Sequence, residues 1–332
     1  MQNWWVNGGL IVPENRKAVK MREALAAAHL YYRQDYTMGA IATELGVSRS
    51  SVSRLLSYAK EAGLVEIRIH SPQEARSRVE QRFSDQFGVA AHVVPVPAKL
   101  SEAEQLERTA QAAAHIISAR VKPRSIVGLA WGSTMSEVAR FLPASAKPGV
   151  QLVQMNGAAN VYSTGVQYTA ELLGGFAERL SAEVFQLPVP AIFDDPLTRE
   201  ALWRERSVSR VLDMQAAANL FVFGLGSRIG DPRSHIYSGG YLGAEDLNQL
   251  ASEGVVGDCA SRFYRLDGSA DGIPINDRSS GPSFEIVRRA PQRICVVSGA
   301  TKRDSLRGAL AAGLLTDVVV DETLARLVLS AS

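Results

Sequence analysis

Two sets of residues have the types and spacing to do chemistry. The first is Ser48, Arg49, Ser50, Ser51, Ser53 and Arg54, a run of polar side chains broken only by Val52. Arginine reaches a phosphate or a guanine edge, and serine is short enough to let a backbone come close to a groove. No acid follows before Glu61. The second set is Gly132, Ser133, Thr134, Gln154, Asn156, Gly157, Gly226, Asp258 and Lys302, most of them where an apolar run stops. Gly132-Ser133-Thr134 at a helix start offers free N–H groups and two hydroxyls to an anion or a hydroxyl, or is simply a serine cap. The amides of Gln154 and Asn156 suit sugar hydroxyls. Gly226, in Gly224-Leu225-Gly226-Ser227, permits a close backbone approach. Asp258 is a ligand acceptor or a buried structural acid. Lys302 meets a phosphate, pairs with Asp258, or merely starts a surface helix.

The arginine–serine run needs a helix to display it. Met38, Ile41, Ala42 and Leu45 repeat at helical period, with Thr37 as the expected N-cap and Gly46 as the residue ending the helix. Val52, Leu55, Leu56 and Ala59 make a second stripe, on a helix expected over residues 48–62 with Ser48 as its cap. Together they read as a helix-turn-helix whose second helix enters a DNA groove; the plain alternative is a helical hairpin with a solvated face. Residues 64–70 alternate as a wing strand would. A first helix over residues 20–32 supports the pair. Residues 1–19 show no period, and Trp4 and Trp5 suit an arm that packs on a partner subunit.

The second set needs strand ends. Residues 73–87 read as a connector helix with Val79, Phe83 and Phe87 on one face, expected to pack in the core. Strands are expected at 91–96, 125–132, 150–157, 182–187, 219–225, 293–298 and 317–320. Helices are expected at 103–119, 133–141, 169–180, 207–217, 244–252, 303–312 and 321–329, with an apolar segment at 255–265. Such alternation predicts a mostly parallel α/β domain, Rossmann-like, with ligands at the carboxyl ends of the strands. The expected division is a tail over 1–19, a winged helix-turn-helix over 20–70, a connector over 71–88, and an effector domain over 89–332.

Composition agrees. The 332 residues are 46% hydrophobic and 21% charged, ordinary for a globular protein. The formal net charge is +2, but nine bases face five acids between Arg16 and His70, which favours contact with phosphates. The two cysteines, Cys259 and Cys295, are far apart and not near a histidine cluster. That argues against a zinc site or a disulfide framework and suits a reducing cytoplasm. No metal or organic cofactor is expected. No apolar run reaches membrane-spanning length, so no membrane partner is expected.

Residues 29–69, HLYYRQDYTMGAIATELGVSRSSVSRLLSYAKEAGLVEIRI, resemble the N-terminal domain of the SorC family of bacterial sugar-responsive transcription regulators. The matched positions are Leu30, Tyr31 and Tyr32, then Ser48, Arg49, Val52, Ser53, Arg54, Leu55 and Leu56, then Gly63, Val65, Ile67 and Ile69. Met38 stands where the family often has a glutamine able to touch phosphate. GLAWGST at 128–134 resembles the family's Gly-x-x-Trp-Gly-x-Thr segment. VVGDCASRFYRLDG at 255–268 and the stretch from Val297 to Ala325 resemble its later segments. The resemblance runs from about Lys20 to the C-terminus. It implies a fold related to ribose-phosphate isomerases and glucosamine-phosphate deaminases. It also implies a sugar, polyol or sugar-phosphate effector that is bound and not turned over, double-stranded operator DNA, and a homotetramer or dimer.

Two function classes follow. The first is a regulator of carbohydrate metabolism whose operator binding is controlled by that effector, with no catalytic residue. The alternative is a sugar-phosphate isomerase or deaminase with an appended DNA head. An isomerase needs a placed base, and Asp258 is the one candidate at a strand end. No H-E-x-x-H, P-loop or G-x-S-x-G motif is present. The glycines from Gly224 to Gly230 lack the spacing of a dinucleotide fingerprint.

Overall fold

The computed structural model describes residues 16–65, 72–97, 100–229 and 234–330. The chain divides into two compact units, Met1–Ser71 and Pro72–Ser332. Most of the expected tail, residues 1–15, and the expected wing beyond residue 65 lie outside the described residues. Residues 16–19 are not tail: they open the first helix.

The first unit has three helices, α1 (Arg16–Arg33), α2 (Met38–Glu44) and α3 (Arg49–Glu61). Thr37 Oγ accepts the Ala40 N–H at 3.2 Å and caps α2; Ser48 Oγ accepts the Ser51 N–H at 3.1 Å and caps α3. Between them Gly46, at φ 64°, takes a left-handed conformation that costs a glycine little. Val47 N then reaches Ala42 O and Gly46 N reaches Thr43 O, closing α2 in a Schellman turn. Ile41 of α2 and Val52, Leu55, Leu56 and Ala59 of α3 are buried with Ala24, Ala27 and Ala28 of α1. The alanines of α1 let α3 lie close against it. Met38, Ala42 and Leu45, expected in the same stripe as Ile41, are only partly buried at its margin.

The second unit runs α4 (Pro72–Phe87), β1 (Ala90–Val94), α5 (Glu102–Arg120), β2 (Ile126–Leu129), α6 (Ser133–Phe141), β3 (Gln151–Gln154), α7 (Val166–Leu180), β4 (Glu183–Phe185), α8 (Pro196–Trp203) and α9 (Arg206–Ala216). It continues with β5 (Leu220–Gly224), β6 (Gly226–Ser227), α10 (His235–Ser238), α11 (Ala244–Ser252), β7 (Val255–Cys259), β8 (Arg262–Arg265), α12 (Phe284–Arg289), β9 (Gln292–Val297), α13 (Arg303–Ala311), β10 (Asp317–Asp321) and α14 (Glu322–Ser330). Seven strands form one parallel sheet in the order β1-β10-β9-β5-β2-β3-β4. From β2 the chain winds outward to β4, then returns to lay β5 on the other side of β2. That reversal makes β2/β5 the switch point.

Alternation along the strands explains the two layers of helices. Phe221 and Phe223 of β5 pack with Val79 and Phe83 of α4, Val208 and Val211 of α9, Leu306 of α13 and Leu324 of α14. Leu220 and Val222 face the other way, toward Ile117 of α5, Met135 and Val138 of α6 and Phe176 of α7. A strand buried on both faces is apolar throughout, and so reads as a continuous run.

Helices α8, α10 and α12 were not anticipated, although Asp195 caps α8 through Thr198 N at 2.7 Å, Pro196 opens it, and Ser283 Oγ caps α12 by accepting the Ile286 N–H at 3.3 Å. The apolar segment 255–265 is a hairpin in a separate antiparallel sheet, β6-β7-β8. Its turn residues, Ala260 and Ser261, have φ 50° and 65°. Such turns favour Asn-Gly, so no turn signal marked the reversal. Helix α4 packs as the face of Val79, Phe83 and Phe87 predicts: Val79 and Phe83 are buried in the second unit's core, Phe87 packs at its edge, and Glu80 Oε1 accepts the Val93 N–H at 2.9 Å. Phe83→Ala should therefore destabilise the second unit by about 3–5 kcal/mol, read by urea denaturation; a surface connector helix would lose less than about 0.5 kcal/mol.

Candidate functional site

In the first unit, α3 turns one face inward through Val52, Leu55, Leu56 and Ala59. Arg49, Ser50, Ser53 and Arg54 are exposed on the rest. Ser48 and Ser51 have a different task. Ser48 Oγ lies 2.8 Å from Ser50 Oγ and 2.9 Å from Ser51 Oγ, and also accepts the Ser51 N–H. Ser51 is half-buried and accepts a long 3.4 Å bond from Arg54 Nη2. These two serines build the helix start, while Arg49, Ser50, Ser53 and Arg54 are exposed beside them. Among the described residues no acid bonds to Arg54.

In the second unit a cavity of about 280 Å³ opens at the carboxyl ends of β2, β3, β5 and β9, over the switch point. Of the sequence-selected residues, Gly132, Ser133, Thr134, Asn156, Gly226, Asp258 and Lys302 line it. Gln154 and Gly157 do not. Gln154, expected to hold sugar hydroxyls, is buried and spends its amide on the backbone: Nε2 donates to Asn156 O at 2.7 Å and Oε1 accepts from Leu187 N at 3.1 Å. Gly157 N donates to Ser280 Oγ at 2.9 Å and Gly157 O accepts from Trp131 Nε1 at 2.6 Å. Both residues hold the wall from behind.

One end of the cavity is the start of α6. Its first helical bond is Ser136 N to Gly132 O, and Gly132 supplies no side-chain cap. The N–H groups of Ser133, Thr134 and Met135 therefore lack intrahelical partners, and the helix dipole adds positive potential there.

The other end is acidic. Asp258 lies within β7, not at the end of a parallel strand as expected, and reaches the cavity because it pairs with Gly226 of β6. Any Cβ at 226 would overlap the Asp258 carboxylate, so glycine is required. Asp258 Oδ2 accepts the Ser261 N–H at 3.1 Å, and Asn156 Nδ2 donates to Ser261 Oγ at 2.8 Å. That leaves Asp258 Oδ1 and Asn156 Oδ1 buried with no well-formed hydrogen bond among the described residues, although the buried Tyr237 hydroxyl, likewise without one, stands beside Asp258 and helps keep its carboxyl ionised. Burial raises the Asp258 carboxyl to about 6 against the opposing pull of Lys302. Burial likewise lowers the Lys302 ammonium to about 8, with Asp258 pulling the other way. Lys302 Nζ donates to Leu225 O at 2.8 Å and to Ser234 Oγ at 2.5 Å.

The sequence reading missed several lining residues. Glu102 and Leu106 come from α5, after β1, a strand end that a fuller survey would have reached. Trp131 stood inside a quoted motif without a role; here it lines the cavity and stacks on Tyr241, ring centroids 5.1 Å apart. Ser234, His235 and Ser261 come from the insertion between β5 and β9, where no strand of the parallel sheet marks them. Among the described residues no group of His, Cys, Asp and Glu is placed to hold a metal ion, and no helix is long and apolar enough to cross a membrane.

A helix-turn-helix head and an α/β unit with an open, polar-ended cavity are the parts of a DNA-binding protein under small-molecule control. Residues 71–330 match the family described as "Putative sugar-binding domain", and residues 19–77 match the MarR family. The chain is 33% identical over 310 residues to the deoxyribonucleoside regulator of Bacillus subtilis (strain 168), covering 92% of this chain and 97% of that one. It is 28% identical over 310 residues to the sorbitol operon regulator of Klebsiella pneumoniae, covering 93% and 98%. Among solved structures, a domain of a possible sugar-binding transcriptional regulator from Arthrobacter aurescens TC1 is 47% identical with a TM-score of 0.73, covering 78% of this chain and all of that one. Full-length SorC from Klebsiella pneumoniae is 28% identical with a TM-score of 0.71, covering 94% and 99%. The chain belongs to the SorC family of sugar-responsive transcriptional regulators.

The exposed face of α3 generates a direct expectation. Arg54→Ala should weaken specific operator binding by about 1–3 kcal/mol and relax the preference at one base pair if the guanidinium reads a base edge. Anisotropy titrations at physiological salt measure both. An unchanged affinity and footprint would remove Arg54 from the interface.

Proposed function

We propose that the effector is a phosphorylated sugar or polyol seated in the switch-point cavity, hydroxyls toward Asp258 and phosphate toward α6. The observation that carries this is the pair of buried acceptors without a well-formed hydrogen bond, Asn156 Oδ1 and Asp258 Oδ1. An unmet buried acceptor costs about 1–3 kcal/mol. A ligand that brings hydroxyl hydrogens recovers that cost, so the cavity selects for them. At the opposite end the free N–H groups of Ser133, Thr134 and Met135 suit phosphate oxygens. Lys302 is the only lysine or arginine among the described lining residues. Two of its three hydrogens are engaged, which leaves one for the ligand. A buried dianion without a cation costs several kcal/mol, so Lys302 supports the phosphorylated form.

Under this reading the cavity binds and does not turn over, and no residue is assigned a catalytic role. Arg49, Ser50, Ser53 and Arg54 meet double-stranded operator DNA in the cytoplasm. Residues 20–70 act as the reader and the chain from about residue 71 as the sensor. One helix-turn-helix covers only a half-site, so the working form is a dimer or tetramer that pairs heads on a palindrome. A second reading, sugar-phosphate isomerisation, draws on one observation. A carboxyl at about 6 beside an ammonium at about 8 is an arrangement suited to proton transfer. Interconversion of a sugar phosphate by the pure protein, lost in Asp258→Asn, would establish it.

A thermal-shift screen of sugars, polyols and their phosphates finds the effector, because a specific ligand raises apparent stability by mass action. Lys302→Ala should then abolish operator release by the phosphorylated effector. Asp258→Asn should weaken effector binding by about 1–3 kcal/mol. Both should leave operator affinity intact. If both variants release DNA at unchanged effector concentration, the effector sits elsewhere.

The pH dependence has a definite sign. The ionised Asp258 is the better acceptor, so effector affinity should fall as pH drops through about 6. The charged Lys302 is the form that pairs with phosphate, so affinity should fall again as pH rises through about 8. Calorimetric titration between these limits should show a plateau. A profile flat from pH 5 to pH 9 would detach both groups from binding.

A further inference from the structure

Tyr237 is a large polar side chain to which the cavity's own lining gives no task. It sits on α10, where His235 and Ile236 line the cavity and Tyr237 does not. It is 4% exposed, and its hydroxyl is buried without a well-formed hydrogen bond. A hydroxyl left in that state is costly, so its position calls for a reason.

The β7–β8 hairpin brings it to Asp258. Asp258 of β7 stands directly opposite Phe263 of β8, so the two side chains leave the same face. The Tyr237 ring packs edge-on against Phe263, ring centroids 6.0 Å apart. That contact sets the phenol beside the carboxylate, whose other flank is Gly226. Asp258 Oδ2 takes the Ser261 N–H, and Oδ1 has no well-formed bond. A hydroxyl with an unspent hydrogen thus adjoins a carboxylate with unspent lone pairs. The same turn of chain holds the cation. Ser234 Oγ accepts from Lys302 Nζ and from Ser227 N, and Tyr237 N donates to Ser234 O at 2.8 Å.

We propose that Tyr237 is a positioning residue for Asp258: its hydroxyl donates to the carboxylate and leaves the remaining lone pairs directed at the effector. This rests on the reading that Asp258 accepts an effector hydroxyl. Burial favours the neutral acid, which would turn a hydrogen toward the cavity; a donor on the protein side favours the carboxylate, which accepts. The other groups near Asp258 cannot take this part. Lys302 attracts it as a charge, and its own neighbour Glu102 is an acid. Tyr264 of β8 donates to Ser305 O at 3.0 Å and has no hydrogen left. Burial pushes the Cys259 thiol well above its ordinary value, and Arg228 acts on Tyr237. His235 of α10 is lowered by burial and titrates below the usual histidine range.

Tyr237→Phe removes one oxygen and keeps the ring on Phe263. Carbon-13 NMR of labelled aspartate carboxyls in the effector-free chain, with Asp258→Asn to assign the signal, reads Asp258 directly and not His235. Asp258 should titrate about one pH unit higher in Tyr237→Phe than in wild type. Calorimetry with the sugar phosphate that the thermal-shift screen selects should then show a loss of affinity that is small at pH 7.5 and about fivefold at pH 6. An Asp258 titration that does not move, even with affinity lost equally at both pH values, would overturn the role of Tyr237 and leave the cavity reading standing. A titration that moves, with affinity indifferent both to pH 6 and to Asp258→Asn, would uphold the Tyr237–Asp258 contact and overturn the cavity reading. Far-UV circular dichroism and melting temperature check the fold of the variant. Should it fail, wild type decides: the Tyr237 hydroxyl proton should shift in its NMR signal as Asp258 titrates, and a signal unmoved from pH 5 to pH 8 would overturn the contact.

Discussion

The sensor unit depends on one compromise: a carboxylate kept inside the protein with only part of its hydrogen bonding met. Asp258 is admitted because Gly226 opposite it has no side chain, and it is steadied by the Ser261 N–H of its own hairpin turn. Lys302 attracts it without fully neutralising the cost, which is why the acid is raised to about 6 and the ammonium lowered to about 8. In the proposed function, the unmet atoms of Asp258 and Asn156 are what select a ligand rich in hydroxyl groups.

The sheet makes that compromise affordable at one place only. At the switch point the chain after β2 goes on to β3 and the chain after β5 to β9 on the other side, and the strand ends between them leave a crevice. Its floor is the uncapped start of α6, with positive potential; its wall is the small antiparallel sheet, with negative potential. The two ends are of opposite character and belong to different layers of the fold. The buried hydrophobic residues on both faces of the main sheet hold them in fixed register.

The reader unit solves a smaller problem. A short helix must start where its exposed face begins, so some of its polar residues are committed to capping. Ser48 and Ser51 take that role through mutual hydrogen bonds, leaving Arg49, Ser50, Ser53 and Arg54 on the open face. Ser48 is legible in the sequence as the cap, from its place just before the apolar stripe, but Ser51 looks equivalent to Ser50 and Ser53 because a hydroxyl that braces a cap and one that faces a groove have the same side chain. Only the backbone direction at Ser48 tells them apart. The same ambiguity hid the role of Gln154, whose amide suits a sugar as well as the carbonyl it serves.

The sequence by itself determined what depends on short-range pattern. The stripes of α2 and α3, the glycine that ends α2 and the continuous apolar runs of the parallel strands are local consequences of side-chain periodicity and φ preference. From them came the two-part organisation, the α/β class and the strand ends where most of the cavity residues lie. Tertiary structure decided what depends on distant segments meeting. The hairpin at Ala260-Ser261 carries no turn residues, so Asp258 could not be placed in a separate sheet until β6 was seen beside it. Ser234 and His235 reach the cavity from an insertion with no strand in the main sheet. Which polar atoms remain unpaired is likewise a property of the whole packing, because a donor is spent or free only after every neighbour within hydrogen-bond reach has been brought into position.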